Sequence, residues 1–476
     1  MLFNSIHFLF FFPVVTLLYF LFPHKLRWAL LLASSCYFYM VFIPSYILVL
    51  ALIILIDYCS ALLIEKSQLQ SRRKIFLLLS LSANLGVLFI FKYYNFISIN
   101  ISELAGNFNA DHSLPLLQLV LPIGLSFHTF QAMSYTIEVY RKRQKAERHF
   151  GIYALYVMYY PQLVAGPIER PQNLLHQFKE EKKFDYARVV SGLRFMLWGF
   201  FIKIVVAENL SPLVDAVYSD PYHYKGLPLL MSSLFFSFQI YCDFAGYSLI
   251  AIGASRVMGI ELMKNFNTPY FSKSIAEFWR RWHISLSTWF KDYVYIPLGG
   301  NKVAVSRMYL NLMIVFLLSG IWHGANWTFL VWGILHGVYL VISLVAGKQG
   351  AHIKASTYPY TNKLIRVFFT FSLVTVAWVF FRASSIKDAW YLITSALSIS
   401  GTFRSLPISK YYCLYVLALI LVLIISEFLQ KNPFSVRTFR KYSTLRYLIY
   451  FILAYSTVLT YLFSGSADRT FIYFQF

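Results

Sequence analysis

The sequence predicts an all-α polytopic membrane protein, and three observations carry the prediction. Of 476 residues, 58% are hydrophobic and only 13% are charged, so most of the chain has no polar face to offer water. Apolar stretches of about 20 residues, the length that crosses the hydrocarbon layer as a helix, recur from end to end. Basic residues gather in the short segments between those stretches, as orientation signals do. No short-period repeat, low-complexity tract or long linker divides the chain. A single membrane domain over residues 1–476 is therefore expected, with about 11–13 helical membrane elements plus re-entrant or interfacial helices.

Taken in order, Phe3 to Phe22 has no basic leading region and no small-residue cleavage site, so it reads as a retained helix and not a signal peptide. Spans near 27–43 and 45–64 follow. The segment 66–74 carries Lys66, Arg72, Arg73 and Lys74, and 141–148 carries Arg141, Lys142, Arg143, Lys145 and Arg148, whereas 98–113 carries only Glu103 and Asp111. The first two are expected in the cytoplasm and the third outside; counting back places Lys25 and Arg27 inside and the N-terminus outside. Gly151 to Ala165 is short, contains Pro161 and lies between basic loops, which predicts a re-entrant or interfacial element. Crossings near 187–207 and 228–250 bracket an expected external loop with Glu208, Asp215 and Asp220, and the longest polar-containing region, roughly 255–307, follows inside. Spans near 308–323, 327–347, 365–382, 411–429 and 447–464 complete the chain. Basic clusters at Lys348 to Arg366 and Lys431 to Arg446 mark cytoplasmic loops and leave the C-terminal tail outside.

The net charge of +22 is spread through these loops, so it signals orientation and not nucleic acid. Cys36, Cys59, Cys242 and Cys413 are scattered in apolar runs, and neither a disulfide framework nor a metal site is indicated. In FWRRWHISLSTWF, residues 278–290, helical winding puts Phe278, Trp279, Trp282, Leu286, Trp289 and Phe290 on one third of the surface, with Arg280, Arg281, Ser287 and Lys291 elsewhere. That predicts one amphipathic helix at the cytoplasmic boundary, with His283 at the edge of its aromatic face. In SGIWHGANWTF, His323 is flanked by Ser319, Gly320, Gly324 and Ala325, small residues that let a backbone or ligand approach. An ionisable side chain in apolar surroundings is a functional candidate, and a buried imidazole suits general-base work near pH 7. Six of the ten tryptophans lie between Trp279 and Trp332, so both histidines share an aromatic-dense region. His128 and His336 read as packing residues. No nucleophilic Ser or Cys motif, Walker loop, dinucleotide fingerprint or HExxH is present. A group transfer between two bound substrates fits these residues; Asp243, Lys92 and Lys203 inside apolar runs fit a transporter or flippase equally well at this point.

The chain resembles the membrane-bound O-acyltransferase family, in the bacterial branch of alginate and peptidoglycan O-acetylation proteins. The likeness is carried by FKYYNF at 91–96, LPIGLSFHTFQ at 121–131, QLVAGPIERP at 162–171, YCDFAGYS at 241–248, FWRRWHISLSTWFKDYVYIPLGGN at 278–301 and GIWHGANWTF at 320–329. His128 departs from it, since the family more often has an aromatic residue there. The resemblance implies a helical fold around a central tunnel, with peripheral helices over 1–110, a catalytic core over 115–347 and C-terminal helices with an external tail over 363–476. It makes His323 the family's histidine and His283 its second active-site position, and it implies a bacterial inner-membrane location.

The same resemblance implies acetyl-CoA as the donor substrate, with no cofactor and no metal. Arg280, Arg281 and Lys291 would meet its phosphates, and Trp282, Trp322, Asp243 and Ser319 would line the tunnel. The acceptor would be an exported polysaccharide, reached through an extracytoplasmic SGNH-type partner; a protein or lipid acceptor is the alternative. The last six residues, FIYFQF, resemble the F-x-Y-x-x-F tail of the small partner in teichoic-acid D-alanylation, which makes Tyr473 a candidate acyl relay.

Overall fold

The computed structural model describes residues 1–107, 114–164, 166–348, 359–398, 405–463 and 472, and among them every regular element is a helix. The expected loops at 98–113 and Lys348 to Arg366 fall partly outside the described residues, and Tyr473 lies outside them altogether. Nine of the described helices are long and apolar enough to cross a membrane. Their outward faces bear large apolar side chains, such as Phe368 and Phe369, or Phe451 and Tyr455, which only a lipid environment would leave uncovered at this density.

The chain forms two compact units, Met1–Met196 with Ile250–Lys264, and Leu197–Leu249 with Asn265–Phe476. The first unit holds α1 (Ile6–Leu21), α2 (His24–Met40), α3 (Tyr46–Lys66), α4 (Gln70–Leu88), α5 (Tyr94–Asn107), α6 (Leu125–Tyr140), α7 (Phe150–Met158), α8 (Tyr160–Leu163), α9 (Pro171–Leu174) and the beginning of α10 (Tyr186–Phe200). A π-turn at Phe89–Tyr93 joins α4 to α5. The buried Asp57 carboxylate accepts hydrogen bonds from Asn84 Nδ2 at 2.9 Å and Ser80 Oγ at 2.5 Å, tying α3 to α4. At one end, Arg73 Nη2 donates to the Tyr140 carbonyl at 2.6 Å and Arg148 pairs with Glu65, so the two basic loops expected on one side of the membrane meet there. The described part of 151–165 is wholly buried and is divided at Tyr159 into α7 and α8, with Pro161 in the first turn of α8, where a proline is tolerated. Glu169 of the Pro-Ile-Glu-Arg stretch accepts from Asn173 Nδ2 at 2.7 Å and from the backbone of Met263, and burial raises its pKa.

The second unit holds the end of α10, α11 (Glu208–Ser219), most of α12 (Leu227–Val257), α13 (Ile275–Arg281), α14 (Ile284–Phe290), α15 (Val305–His323), α16 (Trp327–Lys348), α17 (Pro359–Arg382), α18 (Ile386–Ala396), α19 (Lys410–Lys431), α20 (Pro433–Lys441) and α21 (Ser443–Phe463). The external loop expected after residue 207 is instead helix. A π-turn at Phe201–Ala207 carries α10 into α11, which runs to Ser219. The acidic residues that suggested a loop are paired: Glu208 lies buried 3.9 Å from Lys203, and Asp215 Oδ1 accepts from Arg382 Nη2 at 2.9 Å. In the core of this unit, Trp282, Trp332 and Trp378 are fully buried, with Trp378 4.9 Å from Trp282 and 5.8 Å from Trp332 between ring centroids.

Candidate active site

His323 is the last residue of α15. The helix stops because Gly324 takes an extended backbone, and Asn326 opens α16 by accepting the Thr328 N–H at 3.0 Å. The α15–α16 hairpin is drawn tight by glycine. A Cβ at Gly320 would lie 2.4 Å from the Phe329 carbonyl oxygen, and one at Gly333 would lie 2.4 Å from that of Phe316. This close approach sets the His323 ring against Trp322, Trp332 and Phe381, at centroid distances of 4.9, 4.8 and 5.1 Å. Ser319, one turn earlier, is buried as well.

The continuous amphipathic helix expected over 278–290 is broken in two. His283 adopts a left-handed backbone at φ 41° and separates α13 from α14. Asn265 enforces the break. Its carbonyl accepts the Ile284 N–H at 2.9 Å, and its Oδ1 accepts from Ser285 Oγ at 2.9 Å and from the Ser285 N–H at 3.4 Å. Its Nδ2 donates to Ser248 Oγ at 3.1 Å, and the Asn267 N–H closes on the Arg281 carbonyl at 2.9 Å. The aromatic face is accordingly protein core and not a lipid anchor: Phe278, Trp282, Leu286, Trp289 and Phe290 are all buried. A non-helical backbone is tolerable at such a place because loop groups satisfy its hydrogen bonds.

The break turns His283 inward. Its ring meets Phe244 edge-on at 4.6 Å and Trp322 at 6.1 Å, and burial pushes the imidazole down to about 3, so it is neutral at pH 7. Trp322 also packs on His323, so one indole touches both histidines. His336, a turn beyond Trp332, accepts the Trp279 Nε1–H on Nδ1 at 3.3 Å, the cross-helix bond of a packing histidine. His128 belongs to the first unit, edge-on to Tyr39.

The other candidates separate by environment. Arg281 is held by Glu277 Oε1, donating from Nη2 at 2.7 Å and Nε at 3.0 Å, while Arg280 and Lys291 are exposed. Trp282 is fully buried among Phe266, Tyr270, Phe278 and Trp378. Asp243 pairs with Lys203, so two charges that also suited a transporter compensate each other. Asn265 and the Tyr241 hydroxyl's short hydrogen bond to Glu427 were not singled out from sequence. Among the described residues no cluster of three or more His, Cys, Asp or Glu is placed to hold a metal. Two buried imidazoles, one of them neutral, in a water-poor aromatic setting are suited to moving a proton and polarising a carbonyl.

A family model described as MBOAT, membrane-bound O-acyltransferase family, matches residues 141–386, a stretch that includes His283, Trp322 and His323. The chain is 38% identical over 403 residues to a protein of Azotobacter vinelandii named a probable alginate O-acetylase, covering 84% of this chain and 78% of the relative. It is 34% identical over 433 residues to the peptidoglycan O-acetyltransferase of Helicobacter pylori, covering 84% and 80%. It is also 29% identical over 291 residues to a teichoic acid D-alanyltransferase of Streptococcus thermophilus, covering 56% and 70%. The likeness reaches most of both units, and the chain belongs to the membrane-bound O-acyltransferase family as a multi-pass O-acyltransferase.

Proposed function

We propose that this enzyme moves acetyl groups from cytosolic acetyl-CoA across a bacterial inner membrane for O-acetylation of an exported polysaccharide. Alginate and peptidoglycan are the acceptors to try first, because the relatives named above carry those words. The observation that carries the reading is the pair of buried histidines on one indole, both inside the family match. His323 takes the proton of the attacking hydroxyl. The oxygen bonds to the thioester carbonyl carbon, the C–S bond breaks, and the departing CoA thiolate recovers the proton from the imidazolium. His283, neutral, donates a hydrogen bond to the carbonyl oxygen as it gains negative charge.

Arg280 and Lys291, exposed on the same segment, are the side chains assigned to the CoA phosphates; Arg281, held by Glu277, contributes to the shape of α13. Trp282, Trp322, Ser319 and Asp243 are assigned to the walls of the acyl path. Tyr473 is assigned as the hydroxyl that first receives the acetyl group, before an extracytoplasmic SGNH-type partner passes it to the polysaccharide. That requires the C-terminal tail to be external, and the loop charges assign the N-terminus to the same side. Burial of its neighbour Ile472 in the core of the second unit supports the assignment.

The test uses purified full-length chain in lipid nanodiscs with acetyl-labelled CoA, scoring CoA release and label transferred to polysaccharide. His323→Ala is expected to lower transfer by about three orders of magnitude, the scale of a positioned general base. Tyr473→Phe is expected to abolish delivery to the polysaccharide while CoA release persists. Wild-type rates in His323→Ala overturn the catalytic assignment, and normal delivery in Tyr473→Phe overturns the relay.

A further inference from the structure

Ile472 lies beyond the end of α21, yet it is only 4% exposed and packs in the core of the second unit. Its backbone N–H donates to Asp243 Oδ2 at 2.7 Å. The other carboxylate oxygen of Asp243 pairs with Lys203 Nζ, and Glu208 stands 3.9 Å from that ammonium. A carboxylate buried this deeply persists only with a compensating charge and with hydrogen bonds to its remaining lone pairs. Lys203 supplies the first and the chain's own tail supplies one of the second.

The local fold is arranged for this meeting. Lys203 sits in the π-turn at Phe201–Ala207, a departure from α-helix that recurs at working sites. Opposite it, Gly246 leaves room: a Cβ there would lie 2.8 Å from both Lys203 Cβ and the Gly199 carbonyl oxygen. Phe244, the residue after Asp243, is the one whose ring meets His283. One turn of α12 thus serves the tail and the histidine site together.

We propose that the Lys203–Asp243 pair is a docking site for the chain's own C-terminal segment. Asp243 captures the backbone at residue 472 and thereby fixes the register in which the next residue is presented. Capture through a main-chain N–H reads position along the chain and not side-chain identity. Asp243 is then a positioning residue, and the Lys203 ammonium paired with it compensates its carboxylate. The purpose of the dock rests on the relay reading above, but its existence does not.

The dock is tested without acyl transfer. Ile472→Cys, in full-length chain with the four native cysteines replaced, is placed in nanodiscs and reacted with a water-soluble maleimide. Labelling is expected to be slow with Lys203 and Asp243 intact. It is expected to be about tenfold or more faster in Lys203→Met/Asp243→Leu/Glu208→Gln, which removes the pair together with the buried carboxylate beside it, in keeping with loss of a hydrogen bond to a charged group. The swap Lys203→Asp/Asp243→Lys preserves an ion pair but puts an ammonium where the backbone N–H needs an acceptor, so it too is expected to label fast. Unchanged labelling in the first variant overturns the dock, and so does slow labelling in a folded swap, which marks the pair as structural only.

Ile472→Pro complements these, because it deletes the N–H beyond the last helix and cannot unfold the bundle. Delivery of acetyl to polysaccharide is expected to fall at least tenfold with CoA release retained, and Ile472→Val is expected to keep both. Fast labelling in the paired variants together with normal delivery by Ile472→Pro leaves the dock standing and sinks the relay.

Discussion

Asn265→Ala removes three hydrogen bonds at the break that positions His283, and its cost can be worked from the geometry. Lost are the acceptor for Ser285 Oγ at 2.9 Å, the weaker one for the Ser285 N–H at 3.4 Å, and the donor to Ser248 Oγ at 3.1 Å. Ser285 and Ser248 are both buried, so their groups cannot turn to water. At about 1 kcal/mol for each strong bond, with part of the desolvation penalty of the stranded partner added, the loss is about 2–4 kcal/mol. The backbone pairs Ile284 N–H to Asn265 O and Asn267 N–H to Arg281 O survive the substitution, so the segment stays folded. What weakens is the hold on a left-handed histidine, a conformation that costs a non-glycine residue about 1–2 kcal/mol. Relief of that strain would let α13 run into α14 and carry the imidazole off Phe244 and Trp322. The expected result is kcat lowered about 10- to 100-fold with KM for acetyl-CoA unchanged, since a displaced group loses orientation and not donor binding. Asn265→Asp keeps the acceptor for Ser285 and is expected to recover most of the rate. Thermal unfolding in nanodiscs and initial rates of CoA release give the two numbers. A variant with lowered melting temperature but wild-type kcat would refute the reasoning, because the clamp would then serve stability alone.

The neutral state of His283 predicts a pH dependence. A folded pKa near 3 lies below the ordinary 6.5, so the unfolded chain binds the extra proton, and the stability present above about pH 6.5 is lost as pH falls towards 3; melting profiles of wild type and His283→Gln are expected to converge at acid pH. Gly333→Ala places a methyl 2.4 Å from the Phe316 carbonyl oxygen, so the hairpin must open at a cost of about 1–3 kcal/mol. Its kcat is expected to fall with the shift of His323, whereas Gly86→Ala, which meets nothing within 4 Å, is expected to be neutral in the same rate assay. Arg280→Ala and Lys291→Ala are expected to raise KM for acetyl-CoA several-fold, more so at low salt. Arg281→Ala is expected to lower the melting temperature by a few degrees, having lost its Glu277 pair, with a smaller change in KM.

Helix positions were legible wherever apolar length decided them, as at 46–66, 305–323 and 410–431. That 151–165 forms no long span was legible from its length and Pro161, while its division into α7 and α8 and its full burial were not. Acidic residues misled where charge was taken as a loop: Glu208, buried beside Lys203, and Asp215, exposed and paired with Arg382, both lie on α11, and a charge on a helix looks the same in sequence as one in a loop. The short amphipathic helix α18 went unpredicted although Ser385 caps it by accepting the Asp388 N–H at 3.1 Å, the S-x-x-D signature of a helix start. At the candidate site, the two histidines singled out from sequence both pack on Trp322, but the backbone geometry that brings them there was not legible. Helical periodicity fits 278–290 without interruption, and the break is written in Asn265, remote in sequence from the segment it breaks.

The two histidines share a property that neither residue type nor burial expresses, which is that each stands at the end of a helix. His283 occupies the position before α14, and His323 closes α15. Inside a bilayer, helix interiors consume their own polar groups, so reactive backbone and side-chain geometry can be offered only at such ends, and only where protein covers them. For His323 the end matters electrically as well. The carbonyl terminus of a 19-residue helix is where a macrodipole favours positive charge, by about 0.3–1 kcal/mol and more when buried. In the role proposed for it, His323 becomes positive in the act of taking a proton. Placed at the other end of α15, the same imidazole in the same aromatic cage would work against that field. The glycine after it, extended and packed against Phe329, is what stops the helix there. Gly324→Ala, whose methyl would fall 2.1 Å from a Phe329 ring carbon, should therefore cost kcat more than its distance from the chemistry suggests; a Gly324→Ala enzyme with unaltered kcat and KM would show that this helix end does not need to be where it is.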